Sequence, residues 1–151
     1  MHLLLVEDNP ADANLLQRAL DAGKTPVDLV WLTDGVEALE YLSQSPRVCD
    51  LLLLDLSLPR LTGFEVLERL RARDEFKTLP ILILSGSCDP ADVERCYRAG
   101  ANSYICKPVH VNEVFSMAET IVNYWSTCAT SVRRKTLETK GKAEIPKRPG
   151  A

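Results

Sequence analysis

Five short apolar runs recur along the chain: HLLLV (2–6), VDLVWL (27–32), LLLLD (51–55), ILILS (81–85) and SYIC (103–106). Several are continuous rather than alternating, the pattern of strands covered on both faces. Between them lie segments of helical period. PADANLLQRALDAG opens with Asn9 as N-cap, Pro10 in the first helical position and Asp12 in the first turn, then closes on Gly23. DPADVERCYRAG repeats that grammar with Asp89, Pro90, Asp92 and the closing Gly100, while DGVEALEYLSQ and TGFEVLERLRAR supply two more helices. Strand followed by helix, five times, requires a parallel sheet with helices on both faces. The right-handed crossover rule leaves few topologies. The expectation is an α/β fold: a doubly wound five-stranded parallel sheet, strand order 2-1-3-4-5, with its switch point between strands one and three.

The last helix is the longest. Val111, Val114, Phe115, Ala118, Ile121, Val122 and Trp125 fall on one stripe, with Met117, Tyr124 and Cys128 beside it. That stripe is wider than one sheet face needs, so Phe115, Met117, Tyr124 and Trp125 are candidates for a contact surface. Beyond it the pattern dissolves. A domain of residues 1–128 with an extended last helix, followed by a disordered tail of residues 129–151, is the expected organisation. The tail holds seven basic residues against Glu138 and Glu144, so it carries +5 and the first 128 residues carry −8 of the net −3. It has no interleaved aromatics and no recognition-helix pattern, so nucleic acid is not an expected partner.

No run approaches the roughly eighteen apolar residues of a membrane span. The start has no basic n-region, and its apolar run breaks at Glu7. A cytoplasmic protein is expected. Cys49, Cys88, Cys96, Cys106 and Cys128 are widely spaced, without a C-x-x-C pair, and read as reduced, mostly buried thiols.

Two of the apolar runs stop on acid: Glu7 and Asp8 after the first, Asp55 at the end of the third. In the expected topology these acids end the two strands that flank the ligand crevice. Three carboxylates in one crevice repel one another, and a hard divalent cation with open positions, Mg²⁺, resolves the conflict. Ser85 ends the fourth run and Lys107 follows the fifth. A hydroxyl and an ammonium opposite a metal-binding carboxylate form a phosphoryl pocket. The carboxylate can itself act as nucleophile and carry an acyl phosphate. Each residue alone has a plainer reading: Glu7 and Asp8 as negative charge at a helix N-terminus, Ser85 as a strand terminator, Lys107 as a solvated loop lysine. Their common register favours the pocket.

VEDNPAD, LLLDLSLPRLTGFEVL, ILILSGS and AGANSYICKP, in this order, resemble the successive motifs of a response-regulator receiver domain, a flavodoxin-like fold. The resemblance runs from about residue 3 to residue 125. It implies phosphorylation of Asp55, Mg²⁺ on Glu7, Asp8, Asp55 and the main-chain carbonyl of Ser57, and phosphoryl contacts from Ser85 and Lys107. It further implies a switch role for Tyr104 and a cis-prone bond before Pro108. The run from LSGS through CYRAGANSYICKPVHVNEVF to IVNYWSTCAT is similar to single-domain receivers that partner phytochrome-type histidine kinases, with Tyr97, Asn102, Tyr104, Phe115 and Trp125 matching. The implied function is that of a single-domain response regulator in a two-component phosphorelay, a phosphoacceptor and not an enzyme beyond slow self-dephosphorylation. Its expected partners are a histidine kinase and a second copy bound through the last helix. Two alternatives stand beside it. A haloacid-dehalogenase-type phosphohydrolase also uses a strand-end Asp and Mg²⁺ but needs a second acid two residues on, where Ser57 stands. A receiver-like interaction module that is never phosphorylated would leave the same five positions without use.

Overall fold

In a computed structural model of the chain, residues 1–44 and 49–129 are described, the side chain of Cys128 excepted. Five parallel strands form one sheet: β1 (His2–Val6), β2 (Asp28–Leu32), β3 (Leu51–Leu54), β4 (Ile81–Ser85) and β5 (Ser103–Cys106). Their order is β2-β1-β3-β4-β5, as expected. The helices are α1 (Pro10–Asp21), α2 (Gly35–Gln44), α3 (Gly63–Arg71), α4 (Pro90–Arg98) and α5 (Val111–Asn123), with a 3-10 turn at Asp74–Phe76.

The continuous apolar runs are explained by two cores. Because side chains alternate across a strand, Leu4, Val6, Leu52, Leu54, Ile81 and Ile83 face α2, α3 and α4. Leu3, Leu5, Leu51, Leu53 and Leu82 face α1 and α5. A strand buried on both sides has no position left for a polar residue until it ends. That constraint delivers Glu7, Asp55 and Ser85 to the strands' C-terminal edge, and Lys107 follows β5, a half-buried edge strand.

Local chemistry fixes the helix starts as read from sequence. The Asn9 side chain accepts from the Ala11 N–H at 2.9 Å and the Asp89 side chain from the Ala91 N–H at 2.8 Å, each with Pro next in line. Thr62 and Glu65 form a reciprocal capping box on α3. Gly100 closes α4 at φ 100°, a backbone state that only glycine adopts cheaply. Gly63 is required for a different reason: a Cβ there would overlap the carbonyl oxygen of Asp55.

Three expectations need correction. The last helix does not continue as α-helix to Cys128; it ends at Asn123, and Tyr124–Cys128 form a π-turn closed by the Ala129 N–H on the Tyr124 carbonyl at 2.7 Å. The peptide before Pro108 is trans, the isomer most X–Pro amides prefer. The cysteines divide into two kinds. Cys49 and Cys96 are buried, as expected, but Cys88 and Cys106 are exposed and joined as a disulfide with Cα atoms 5.6 Å apart. The cause is topological: Ser85 pairs with Cys106 in the sheet, so the loop after β4 folds back over the end of β5. The tail of residues 130–151 lies outside the described residues, and no helix among the described residues is long and apolar enough to cross a membrane.

Candidate metal and phosphoryl site

β1 and β3 pair with Val6 opposite Leu54, so Glu7 and Asp55 leave the sheet side by side. Each backbone is fixed from its neighbour strand. The Glu7 N–H donates to the Leu32 carbonyl and the Asp55 N–H to the Val6 carbonyl, both at 3.0 Å. The Trp31 indole N–H donates to the Glu7 carbonyl at 2.8 Å, holding the end of β1 from the β2 side. Glu7, Asp8 and Asp55 each offer a carboxylate oxygen within 4.8 Å of the others. Glu7 and Asp55 are buried, whereas Asp8 is exposed and opens the group to solvent.

Lys107 stands across from them. Its ammonium lies 2.6 Å from Glu7 Oε2, 3.0 Å from Asp55 Oδ2 and 3.0 Å from Asp12 Oδ2. Its own N–H donates to the Ser85 carbonyl at 2.7 Å, which ties the cation to the strand carrying the hydroxyl. Ser85 is fully buried, and its Oγ accepts from the Ser87 N–H at 3.2 Å. The Ser57 N–H donates to Asp55 Oδ1 at 3.3 Å, so the loop after β3 already wraps the acid.

Electrostatics make the site an incomplete one. Three carboxylates surround one ammonium, and Asp8 adds a fourth negative charge beside Glu7 and Asp55. Burial pushes the Glu7 carboxyl up to about 7, against the lowering effect of its hydrogen bonds from Lys107 and the Asn9 N–H. Burial also works against a charged Lys107, but the three carboxylates outweigh it and raise its pKa above the ordinary lysine value. A cation that compensates the remaining negative charge fits this donor set. The ligands are hard oxygens, there are three of them, and the exposed side leaves room for water, the combination that suits Mg²⁺ or Mn²⁺.

The structure thus brings together Glu7, Asp8, Asp55, Ser85 and Lys107. Sequence reasoning missed Asp12 as a member. It was readable only as a helix-start acid, yet α1 begins above the end of β1 and turns that carboxylate onto Lys107. Tyr104 sits outside the acidic pocket, partly buried against the α2–α4 core. Its hydroxyl donates to the Ser87 carbonyl at 2.8 Å, and its N–H donates to the Tyr97 hydroxyl at 3.1 Å. The candidate contact residues are divided. Phe115, Met117 and Trp125 pack in part against the α1–α5 core, while Tyr124 is exposed and meets Trp125 edge to face at 5.2 Å.

Comparison with known proteins identifies the family and the fold. The family model described as "Response regulator receiver domain" matches residues 3–119. The response regulator Rcp1 of Synechocystis is 34% identical over 134 residues, which cover 85% of this chain and 90% of Rcp1. The crystal structure of the phosphorylated cyanobacterial phytochrome response regulator RcpA superposes with a TM-score of 0.82 at 35% identity, covering 87% of this chain and 98% of that one. The Mn²⁺-bound form of Rcp1 gives a TM-score of 0.78 at 32% identity, covering 86% and 97%. The matched region spans the whole sheet and the strand ends that carry the acidic cluster, and the chain belongs to the response regulator receiver domain family, the phosphoacceptor module of two-component signalling.

Proposed function

We propose that Asp55 accepts a phosphoryl group from the phosphohistidine of a histidine kinase, of the phytochrome type, and that the chain signals by the conformational change that follows. The observation carrying this reading is the buried Asp55 carboxylate within 3.0 Å of the Lys107 ammonium, with Glu7 and Asp8 alongside. The carboxylate oxygen attacks phosphorus as the P–N bond to histidine breaks, and the new acyl phosphate stays on β3. Glu7, Asp8, Asp55 and the Ser57 carbonyl would hold Mg²⁺, which would supply positive charge to phosphoryl oxygens. Lys107 exchanges its contacts to Glu7 and Asp12 for a phosphoryl oxygen, and the Ser85 hydroxyl donates to another. The Ser85 hydroxyl accepts from the Ser87 N–H, and Ser87 carries the carbonyl that accepts from Tyr104. That chain of bonds supports Tyr104 as the switch residue and the α4–β5–α5 face as its output. Release of phosphate is slow self-dephosphorylation, without turnover of external substrates. A second copy docks on the last helix, with Tyr124 as its exposed anchor beside Phe115, Met117 and Trp125.

Similarity to the cyanobacterial phytochrome response regulator RcpA supports the choice of kinase. The test is incubation with Mg²⁺ and acetyl phosphate. An acid-stable, base-labile adduct that Asp55→Asn abolishes is expected; an adduct retained by that variant, or none on the wild type, ends the reading.

A further inference from the structure

Four of the cysteines can be sorted by access. Cys49 and Cys96 are 4% and 1% exposed, beyond the reach of an oxidant. Cys88 and Cys106 are both exposed, and their Cα atoms stand 5.6 Å apart, inside the window a disulfide requires. Their placement gives the pair a meaning. Cys106 is the residue before Lys107, which holds the three carboxylates. Cys88 follows Ser87, whose N–H donates to Ser85 Oγ, whose carbonyl accepts from Tyr104 and whose hydroxyl donates to Asp92 at 2.6 Å. The bond therefore staples the loop after β4 to the end of β5, across the path by which Ser85 and Tyr104 communicate. The segment it closes, with its ends 18 positions apart, contains all of α4. That helix buries a single residue, Cys96, so packing holds it weakly and a covalent tie between its flanks restricts its motion.

We propose that Cys88 and Cys106 form a reversible thiol–disulfide pair that locks the loop between β4 and α4 and so gates the response at Asp55. An oxidised low-molecular-weight disulfide such as oxidised glutathione supplies the oxidant. One cysteine thiolate attacks it, expelling one thiol. The second cysteine thiolate then attacks the protein sulfur of the mixed disulfide and expels the other. Two protein thiols are oxidised and one disulfide is reduced to two thiols, the two protons passing to the leaving thiolates. Exposed disulfides are the labile, regulatory ones, which suits a pair exchanged by a glutathione pool.

The gating rests on Asp55 being the phosphoacceptor, so the experiment reads bond, loop and phosphorylation separately. The full chain is equilibrated with oxidised or reduced glutathione, and the Cys88–Cys106 peptide is identified by mass spectrometry. Amide exchange is followed over residues 86–90, and phosphorylation is timed with acetyl phosphate and Mg²⁺. Oxidation is expected to form this bond, to slow exchange in the loop, and to slow phosphorylation by about fivefold or more, the lower end of usual allosteric couplings. Dithiothreitol reverses all three effects. Cys88→Ser and Cys106→Ser are phosphorylated at the reduced wild-type rate in either buffer. No Cys88–Cys106 bond, or unchanged loop exchange once it has formed, overturns the lock. Equal phosphorylation rates in both redox states overturn the gating. A locked loop on a chain that is never phosphorylated in reduced form instead overturns the phosphoacceptor reading and the gating with it, while the lock stands.

Discussion

Glu7→Gln tests the electrostatics of the pocket directly. Glu7 is 2% exposed and its carboxyl titrates near 7, raised by burial from the ordinary value of 4.5. A group whose pKa is higher in the folded state contributes stability that is complete below the unfolded value and is lost as pH rises through the folded one. Metal-free wild type is thus progressively destabilised by this residue between about pH 4.5 and pH 7. Each unit of pKa is 1.36 kcal/mol, so the loss from about pH 5 to about pH 8 comes to about 2 to 3 kcal/mol. Gln mimics the protonated acid at every pH and escapes that loss. In urea denaturation with a chelator present, the stability of Glu7→Gln relative to wild type should rise by that amount over this pH range. Adding Mg²⁺ at about pH 8 should reverse the trend, because a bound ion stabilises only the chain that still offers the carboxylate strongly. A stability difference that stays flat with pH, or equal Mg²⁺ stabilisation of both proteins, would refute the claim that this buried acid awaits a cation.

Further outcomes are expected elsewhere in the molecule. Arg71→Met should cost about 2 to 4 kcal/mol in urea denaturation, with the slope unchanged, because the carbonyls of Phe76, Leu79 and Gly100 and the Asn102 side chain all lose their donor. Gly63→Ala should lower stability by about 2 kcal/mol or more and slow Asp55 phosphorylation, since the added methyl displaces the Asp55 carbonyl; a wild-type rate would refute the close approach. Sedimentation equilibrium at high micromolar concentration, with and without beryllofluoride, should give the mass of two copies, and Tyr124→Arg should return it to one. A single-copy mass for wild type in both states removes the last-helix dimer.

Much of this molecule was legible in its sequence because burial on two faces forbids polar residues inside a strand. Once the runs 51–55 and 81–85 are recognised as such strands, Asp55 and Ser85 must mark their ends, and register does the rest. What escaped notice depends on neighbours distant in sequence. Asp12 looks like any helix-start acid until α1 is seated over β1. Arg71 looks like any helix-end cation, though its guanidinium spans residues from Phe76 to Asn102. The nearness of Cys88 and Cys106 follows from β4 pairing with β5, which no cysteine spacing announces. The π-turn at Tyr124–Cys128 is hidden because the apolar stripe runs on through it; only the shift of a hydrogen bond to the fifth residue reveals it.

Arg71 also decides where this protein can bend. Its side chain knots the approach to β4, the close of α4 and the entry of β5 together, and Asn102 adds a bond to the Ile81 N–H at 2.9 Å. The base of that half of the sheet is therefore pinned like the spine of a book. On the proposed function, a change at Asp55 therefore finds its freedom at the opposite edge, where α4 hangs by a single buried side chain.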